Sequence, residues 1–457
     1  MRWSIINLDK FFKPESVAII GVSSNEHKLG HVIFRNLMNN YKAKIYPINP
    51  NEGRIVGYKC YPSVLAVEDP IELAIIAIPS EAVIPAVNEC VKKKIPNLII
   101  ISSGFSEIGN KKREEELRKI VEKNNINLVG VNCLGNYDAH TRFDSMFIPT
   151  TRLKRPRPGY ISFISQSGAL GAAVLDLLAS KNYGLSKFIS YGNATSLDES
   201  DYLDYLITDN NTKVICLYIE GVRDGKKFMQ VAKKASLKKP VIILKGGVTE
   251  KGAQAALSHT GAMAGSSQVY SAVFKQCGLI EVSSLEEMFN IARILENVVK
   301  PKGNRIQIIT NGGGYGILGT DSISKNNLRF AEMYPRTKNE LAKKFPPLVS
   351  ISNPIDLIGD ADDERFRLAI EKCLNDPNID IILTLLLPQT PLITENIVGT
   401  ITKLNDMKKK PIIVVCTGGL FAQKIRSELD SKGVVCFDFI TDAVSSIKRM
   451  CEYYKLG

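Results

Sequence analysis

His259 is the residue in this chain best suited to chemistry. It lies in KGGVTEKGAQAALSHTGAMAG, residues 245–265, directly after the apolar run Val241 to Leu244. Glycines at 246, 247, 252, 261 and 265, mixed with Ser, Thr and Ala, let backbone amides approach a ligand closely and leave room around one ring. Such an imidazole could be a metal ligand, a general base or a nucleophile. A metal site wants Cys, His, Asp or Glu partners nearby, and this stretch supplies only Glu250. A base usually sits in a fixed pocket beside an orienting carboxylate. A nucleophile that takes up a phosphoryl group needs a neutral ring, a carboxylate to hold its tautomer, and amide donors for the phosphate, as at Gly/Ser-rich helix starts. A glycine-rich surface loop that merely contains a histidine would have the same composition.

Two other stretches could supply those partners. Tyr218-Ile219-Glu220-Gly221-Val222-Arg223-Asp224-Gly225 puts a carboxylate at the end of a strand. If sequential strands pair, Glu220 stands beside the strand that feeds the His259 segment and could fix the ring's tautomer; as a strand-end acid it could equally face water. Ser165-Gln166-Ser167-Gly168-Ala169-Leu170-Gly171 opens a helix over Ala169–Ala179, whose free amides suit a phosphate or an anionic side chain. Asn193 and Asp198, in GNATSLDESD, read as helix caps.

A further set lies near the N-terminus. The strand Val17–Ile20 runs into Gly21-Val22-Ser23-Ser24, with Lys28 and Gly30 before a helix, which is a phosphate-cradling turn. It is not GxGxxG. Asn49-Pro50-Asn51 stands at the second strand's end, where a nicotinamide dinucleotide would want a carboxylate. A ligand with additional phosphates, such as coenzyme A, fits Lys28 and the missing acid better. Later strand ends carry Pro79 and Ser80, then Ser102, Ser103, Gly104 and Phe105, and ligands of open α/β sheets bind at such ends. Any one of these turns could be structural only.

The elements that must hold these residues alternate. Strands read at Ser16–Ile20, Lys44–Ile48, Leu73–Ile78, Asn97–Ile101 and Asn127–Val129, with helices such as Val83–Lys93 and Lys111–Asn124 between them. That alternation means βαβ units and a parallel sheet. Residues 1–145 are therefore expected to form a Rossmann-like domain. Thr150–Gly159, basic and proline-containing, reads as a linker. Residues 155–299 add strands at Tyr160–Ile164, Lys187–Ser190, Val214–Ile219 and Val241–Leu244 and close on a helix from Leu285 to Val299. After a second linker, residues 304–457 begin as the previous domain does: ISFISQSGALG and IQIITNGGGYG are both apolar strand, small polar turn and helix start. The fold class is α/β, a Rossmann-like domain followed by two flavodoxin-like domains.

Length, 457 residues, suits about three domains, and 44% hydrophobic with 23% charged residues is ordinary for a soluble globular protein. The net charge of +12 is spread through helices and loops without a nucleic-acid stripe, and suits polyanionic small molecules. Nine scattered cysteines without CxxC indicate reduced thiols in a cytoplasm rather than disulfides or a zinc cluster. No secretory signal, membrane span, metal site or nucleic-acid partner is expected.

Together, SQSGALG, IEGVRDG and AALSHTGAMAG resemble the ADP-forming (NDP-forming) acyl-CoA synthetases, specifically their alpha subunit, a relative of the succinyl-CoA synthetase alpha chain. GVSSNEHKLG, INP and SSGFSEIG are similar to that family's CoA-binding domain, and NPIDLIGDA in the third domain also matches. The resemblance implies a relay, most simply for acetate: acyl-CoA and phosphate give an acyl phosphate, which phosphorylates His259, and the phosphohistidine passes its phosphoryl group to ADP. It implies Glu220 as the partner of His259, and Ser167, Gly168, Ala169 and Gly261 as phosphate-binding. Coenzyme A falls to Gly21, Ser23, Lys28, Gly30, Asn49, Pro50, Pro79, Ser102 and Gly104. No ATP-grasp domain is evident, so Mg and ADP/ATP are expected on a separate beta subunit, in an alpha2beta2 heterotetramer. A non-catalytic CoA-binding regulator of the same fold is the alternative. Val131, Thr249 and NGGGYG depart from the usual family pattern.

Overall fold

The computed structural model describes residues 8–252, 254 and 266–456. The chain divides into two compact units, Met1–Leu285 and Glu286–Gly457.

The first unit holds two large sheets and two short two-stranded ribbons among the described residues. In the first, β1 (Ser16–Ile20), β2 (Lys44–Ile48), β3 (Leu73–Ile76), β4 (Asn97–Ile100) and β5 (Asn127–Gly130) run parallel in the order β2-β1-β3-β4-β5. Their apolar runs are continuous because both faces are covered by crossover helices; every residue of β1, β3 and β4 is buried. Those helices are α1 (Leu29–Asn40), α2 (Ser80–Lys93) and α3 (Lys111–Lys123). α2 starts three residues before the expected Val83, because Pro79 serves as its N-cap. Strand order reverses between β1 and β3, so a crevice opens beyond their carboxyl ends.

The second sheet contains β6 (Asn136–Asp138), β7 (Ile161–Ser165), β8 (Lys187–Ser190), β9 (Val214–Ile219), β10 (Val241–Lys245) and β11 (Ile280–Val282), in the order β11-β10-β9-β7-β8-β6. All pairs are parallel except β6 on β8. Its helices are α4 (Gly168–Ser180), α5 (Glu199–Thr208), α6 (Gly225–Ser236) and α7 (Ser267–Gln276). The order reverses between β7 and β9, the strands followed directly by Gln166 and Glu220. Two features differ from the sequence reading. Asn136–Asp138, grouped there with the first domain, is the edge strand of this second sheet. The expected linker is tied down: Arg157 and Pro158 pair with Gly184 and Leu185, and Arg155 Nε lies 2.8 Å from the buried Asp144 carboxylate.

The second unit is one seven-stranded sheet. Its central strand, β12 (Arg305–Thr310), pairs in parallel with Ile381–Leu385, and Gly313–Lys325 forms the helix that follows β12. Buried Arg293 donates to the Cys436 carbonyl at 2.9 Å and pairs with Asp430 within this unit.

Candidate active site

The turn after β1 is built by a close backbone crossing. Gly21 has φ +98, and a Cβ there would lie 2.4 Å from the Ala77 carbonyl oxygen. A Cβ on Gly30 would lie 2.1 Å from the Gly21 carbonyl oxygen, so α1 can begin against the turn only as glycine. The turn is braced from three sides. His31 Nδ1 lies 2.7 Å from the Ser23 carbonyl oxygen, and Asn49 Nδ2 donates to the Val22 carbonyl at 2.7 Å. Glu52 Oε1 accepts from the Ser24 amide at 3.0 Å and from its hydroxyl at 2.7 Å, which holds the Glu52 carboxyl below its ordinary pKa. Asn49 thus acts as a strut. Glu52, three residues on, is a turn-locking acid that sequence reasoning missed. Lys28, the N-cap of α1, has no ion-pair partner among the described residues.

These groups face a cavity of about 930 Å³ in the first unit. Gly21, Ser23, Lys28, Gly30, Asn49, Pro79 and Ser102 line it from the first sheet. Ser167, Gly168 and Ala169 line it from the second, so the two sets meet in one space. Pro50 is exposed and does not reach the lining. Nor does Gly104, whose amide donates to Glu107 Oε1. The Ser102 hydroxyl ties β4's end to Ile78. Val131, one of the departures from pattern, is fully buried in the first sheet's core, and the turn after it still delivers Asn132, Cys133 and Leu134 to the cavity.

At the second sheet, Ser167 caps α4: its Oγ accepts from the Leu170 amide at 3.3 Å. The amides of Gly168 and Ala169 open the helix and, as first-turn donors, have no intrahelical acceptor. Added to the helix dipole, they are donors of the kind that suits an anion. Glu220 follows β9. The residue is 8% exposed; Oε1 accepts from the Tyr218 hydroxyl at 3.4 Å, while buried Oε2 has no hydrogen-bond partner among the described residues. Its backbone amide donates to Gln166 Oε1 at 2.7 Å, and its carbonyl accepts from Lys245 Nζ at 2.9 Å. Burial, with the Glu220 charge second, pushes the Tyr218 phenol up to about 12; burial lowers the Lys245 pKa. β9 and β10 pair in parallel with Ile219 opposite Lys245, so Glu220 stands beside the strand that leads into residues 246–265. His259 and Gly261 lie outside the described residues.

Asp198 is a cap as expected, with a complete capping box. Asn193 is not. Its Nδ2 donates to Ser106 Oγ, Glu107 Oε2 and Glu114 Oε2 at 2.7–3.1 Å, bolting the β4 turn and α3 to the β8 turn.

Three family models match in succession: a CoA binding domain over residues 15–138, a succinyl-CoA ligase-like flavodoxin domain over 158–295 and a ligase-CoA domain over 306–453. Acetate–CoA ligase [ADP-forming] II subunit alpha of Pyrococcus furiosus is 37% identical over 456 residues, covering 98% of each chain. The chain belongs to the ADP-forming acetate–CoA ligase family. Within this ligase family, the relative from Methanocaldococcus jannaschii is 40% identical over 444 residues, which are 96% of this chain and 62% of that longer protein. A structure of the dinucleotide-forming acetyl-coenzyme A synthetase 1 of Ca. Korarchaeum cryptofilum, in complex with phosphate and ADP, superposes with a TM-score of 0.92 at 35% identity, covering 98% of this chain and 97% of that one. These relatives therefore match this chain through the CoA-binding domain and both ligase-type domains.

Proposed function

We propose that this chain is the phosphoryl-carrying alpha subunit of an ADP-forming acyl-CoA ligase acting on acetate. The net reaction is acyl-CoA + phosphate + ADP to acid + CoA + ATP, reversible. Phosphate attacks the thioester carbonyl and the CoA thiol leaves, giving an acyl phosphate. An imidazole nitrogen of His259 then attacks its phosphorus, the acyl carboxylate leaves, and the phosphohistidine transfers its phosphoryl group to ADP. The first-sheet turns and Lys28 would hold the phosphates of CoA. The α4 amides would receive phosphate, and Glu220 would hold the imidazole in its reactive tautomer. One observation carries this reading: a buried carboxylate oxygen without a partner among the described residues, at the end of the strand beside the one that feeds His259, near a helix N-terminus. A regulator that only bound CoA would have no use for that orphan oxygen.

ADP/ATP and Mg would sit on an ATP-grasp beta subunit, in an alpha2beta2 assembly. All nine cysteines are free thiols, which suits a reducing cytoplasm, and no helix among the described residues is long and apolar enough to cross a membrane. The test uses the chain co-purified with its ATP-grasp subunit. Incubation with acetyl-CoA and radioactive phosphate should leave an acid-labile, base-stable label on the chain, and H259A should abolish it. Full labelling of H259A would refute the carrier role.

A further inference from the structure

Gln166 occupies a position that the relay described above does not account for. It is the first residue after β7, at the strand-order reversal, two residues ahead of α4. Its own amide donates to the Tyr218 carbonyl at 3.1 Å. Its carboxamide Oε1 accepts from two successive backbone amides of the neighbouring strand's turn, Glu220 at 2.7 Å and Gly221 at 3.2 Å, with the Tyr191 hydroxyl at 3.5 Å. A side chain that takes both amides of a turn supplies the acceptor that the backbone pairing no longer offers where the strand ends. It fixes the peptide plane from which the Glu220 side chain leaves. Gln166 is also part of the wall between two spaces. It lines the cavity shared by the CoA turns and α4, and a second cavity of about 960 Å³ that Glu199, Asn193 and Val222 help to enclose. With Oε1 saturated, the Nε2 group has no hydrogen-bond partner among the described residues.

We infer that Gln166 is a positioning residue for Glu220: it links the start of the phosphate-receiving helix to the carboxylate at the end of β9, so that both are set in one geometry. This rests on the proposed relay. The physical reason is rigidity. Glu220 Oε2 has no hydrogen-bond partner among the described residues and Oε1 has a long bond from the Tyr218 hydroxyl at 3.4 Å, so the aim of the carboxylate rests largely on its backbone, which is held by Gln166 from one side and Lys245 from the other. An error of about 1 Å in such a group can cost on the order of 100-fold in rate.

The experiment compares Q166A, E220Q and the double variant in the co-purified complex. Q166A should form ATP from acetyl-CoA, phosphate and ADP about 10- to 100-fold more slowly, with the KM for acetyl-CoA changed less than about twofold. Because Gln166 acts through Glu220, the double variant should be no slower than E220Q alone, whereas independent roles would multiply. Q166M, which fills the same volume without an acceptor, is read in place of Q166A if the latter does not fold. A wild-type rate in either Gln166 variant, or multiplicative loss in the double variant, overturns the inference while H259A remains unlabelled. Labelling of H259A, or a wild-type rate in E220Q, overturns the underlying relay instead.

Discussion

The Lys245 ammonium donates to the Glu220 carbonyl oxygen at 2.9 Å while lying 4.8 Å from the centre of the Tyr270 ring. A buried cation is thereby spent on holding a main-chain oxygen rather than on pairing with a carboxylate. Burial is the main cause of its lowered pKa, with the Glu220 charge opposing it. A lysine whose folded pKa falls below 10.5 binds fewer protons folded than unfolded in the window between the two values. Stability should therefore rise as pH climbs through that window, until 10.5 is passed. K245M keeps the apolar stem and removes the charge. Urea midpoints should lose their rise on the alkaline side, and His259 labelling should slow about tenfold as the Glu220 turn loosens. A variant with the wild-type alkaline rise would show that Lys245 is not the group responsible.

Glu199 gives a pH dependence of the opposite sign. It is 1% exposed, Oε1 has no hydrogen-bond partner among the described residues, and burial with the nearby Asp198 charge pushes its pKa up to about 8. A carboxyl raised from 4.5 binds more protons folded than unfolded between those values, so its contribution to stability falls as pH rises from about 4.5 to about 8. E199Q keeps the shape and cannot ionise. It should be more stable than wild type at pH 8 by roughly 2–4 kcal/mol and close to it at pH 5. Chemical denaturation at both pH values measures this, and a constant difference would reject it.

Gly30 and Gly53 make a matched pair. An added Cβ meets the Gly21 carbonyl oxygen at 2.1 Å in the first case and nothing within 4 Å in the second. G30A should weaken CoA binding at least about tenfold, since forcing α1 away from the turn costs on the order of 1–3 kcal/mol. G53A should bind CoA as wild type does. Calorimetric titration with CoA distinguishes them, and equal affinities would remove the β1 turn from the binding site.

Ser167 spends its hydroxyl on the Leu170 amide. S167A should therefore cost about 1 kcal/mol of stability through the lost cap. By loosening the first turn of α4, it should raise the KM for phosphate several-fold while leaving that for acetyl-CoA unchanged. A rise in the acetyl-CoA value alone would place phosphate elsewhere.

What was legible in the sequence is what parallel sheets write plainly. Continuous apolar strands such as SVAII and VICLYI, each followed by a glycine-bearing turn, mark the strand ends that carry Gly21 and Glu220, while the strand-order reversals themselves emerge only from the sheets. What was not legible depends on partners far apart in the chain. Gln166 meets Glu220 across 54 residues, and Asn193 meets Glu107 across 86, with nothing local to mark either. Asn193 read as a cap because Asn is common in caps; tertiary acceptors claimed it. Glu52 carries no local signal, because Asn49 occupies the strand end and the acid reaches the turn from three residues later. β6 went unassigned because Asn-Tyr-Asp has neither apolar continuity nor a two-residue alternation; it is a strand because β8 offers it an edge.

That short edge strand decides how the molecule can be divided. Asp138 brings a carboxylate 3.3 Å from Lys187 Nζ, with both side chains almost wholly enclosed. A fragment ending at residue 135 would keep every strand of the first sheet, yet its complement would be left with a bare row of peptide groups along Lys187–Ser190 and a lysine short of one counter-charge. The CoA-binding portion is therefore not a detachable cassette, and swapping it between relatives would succeed only if residues 136–138 stayed with the sheet they complete.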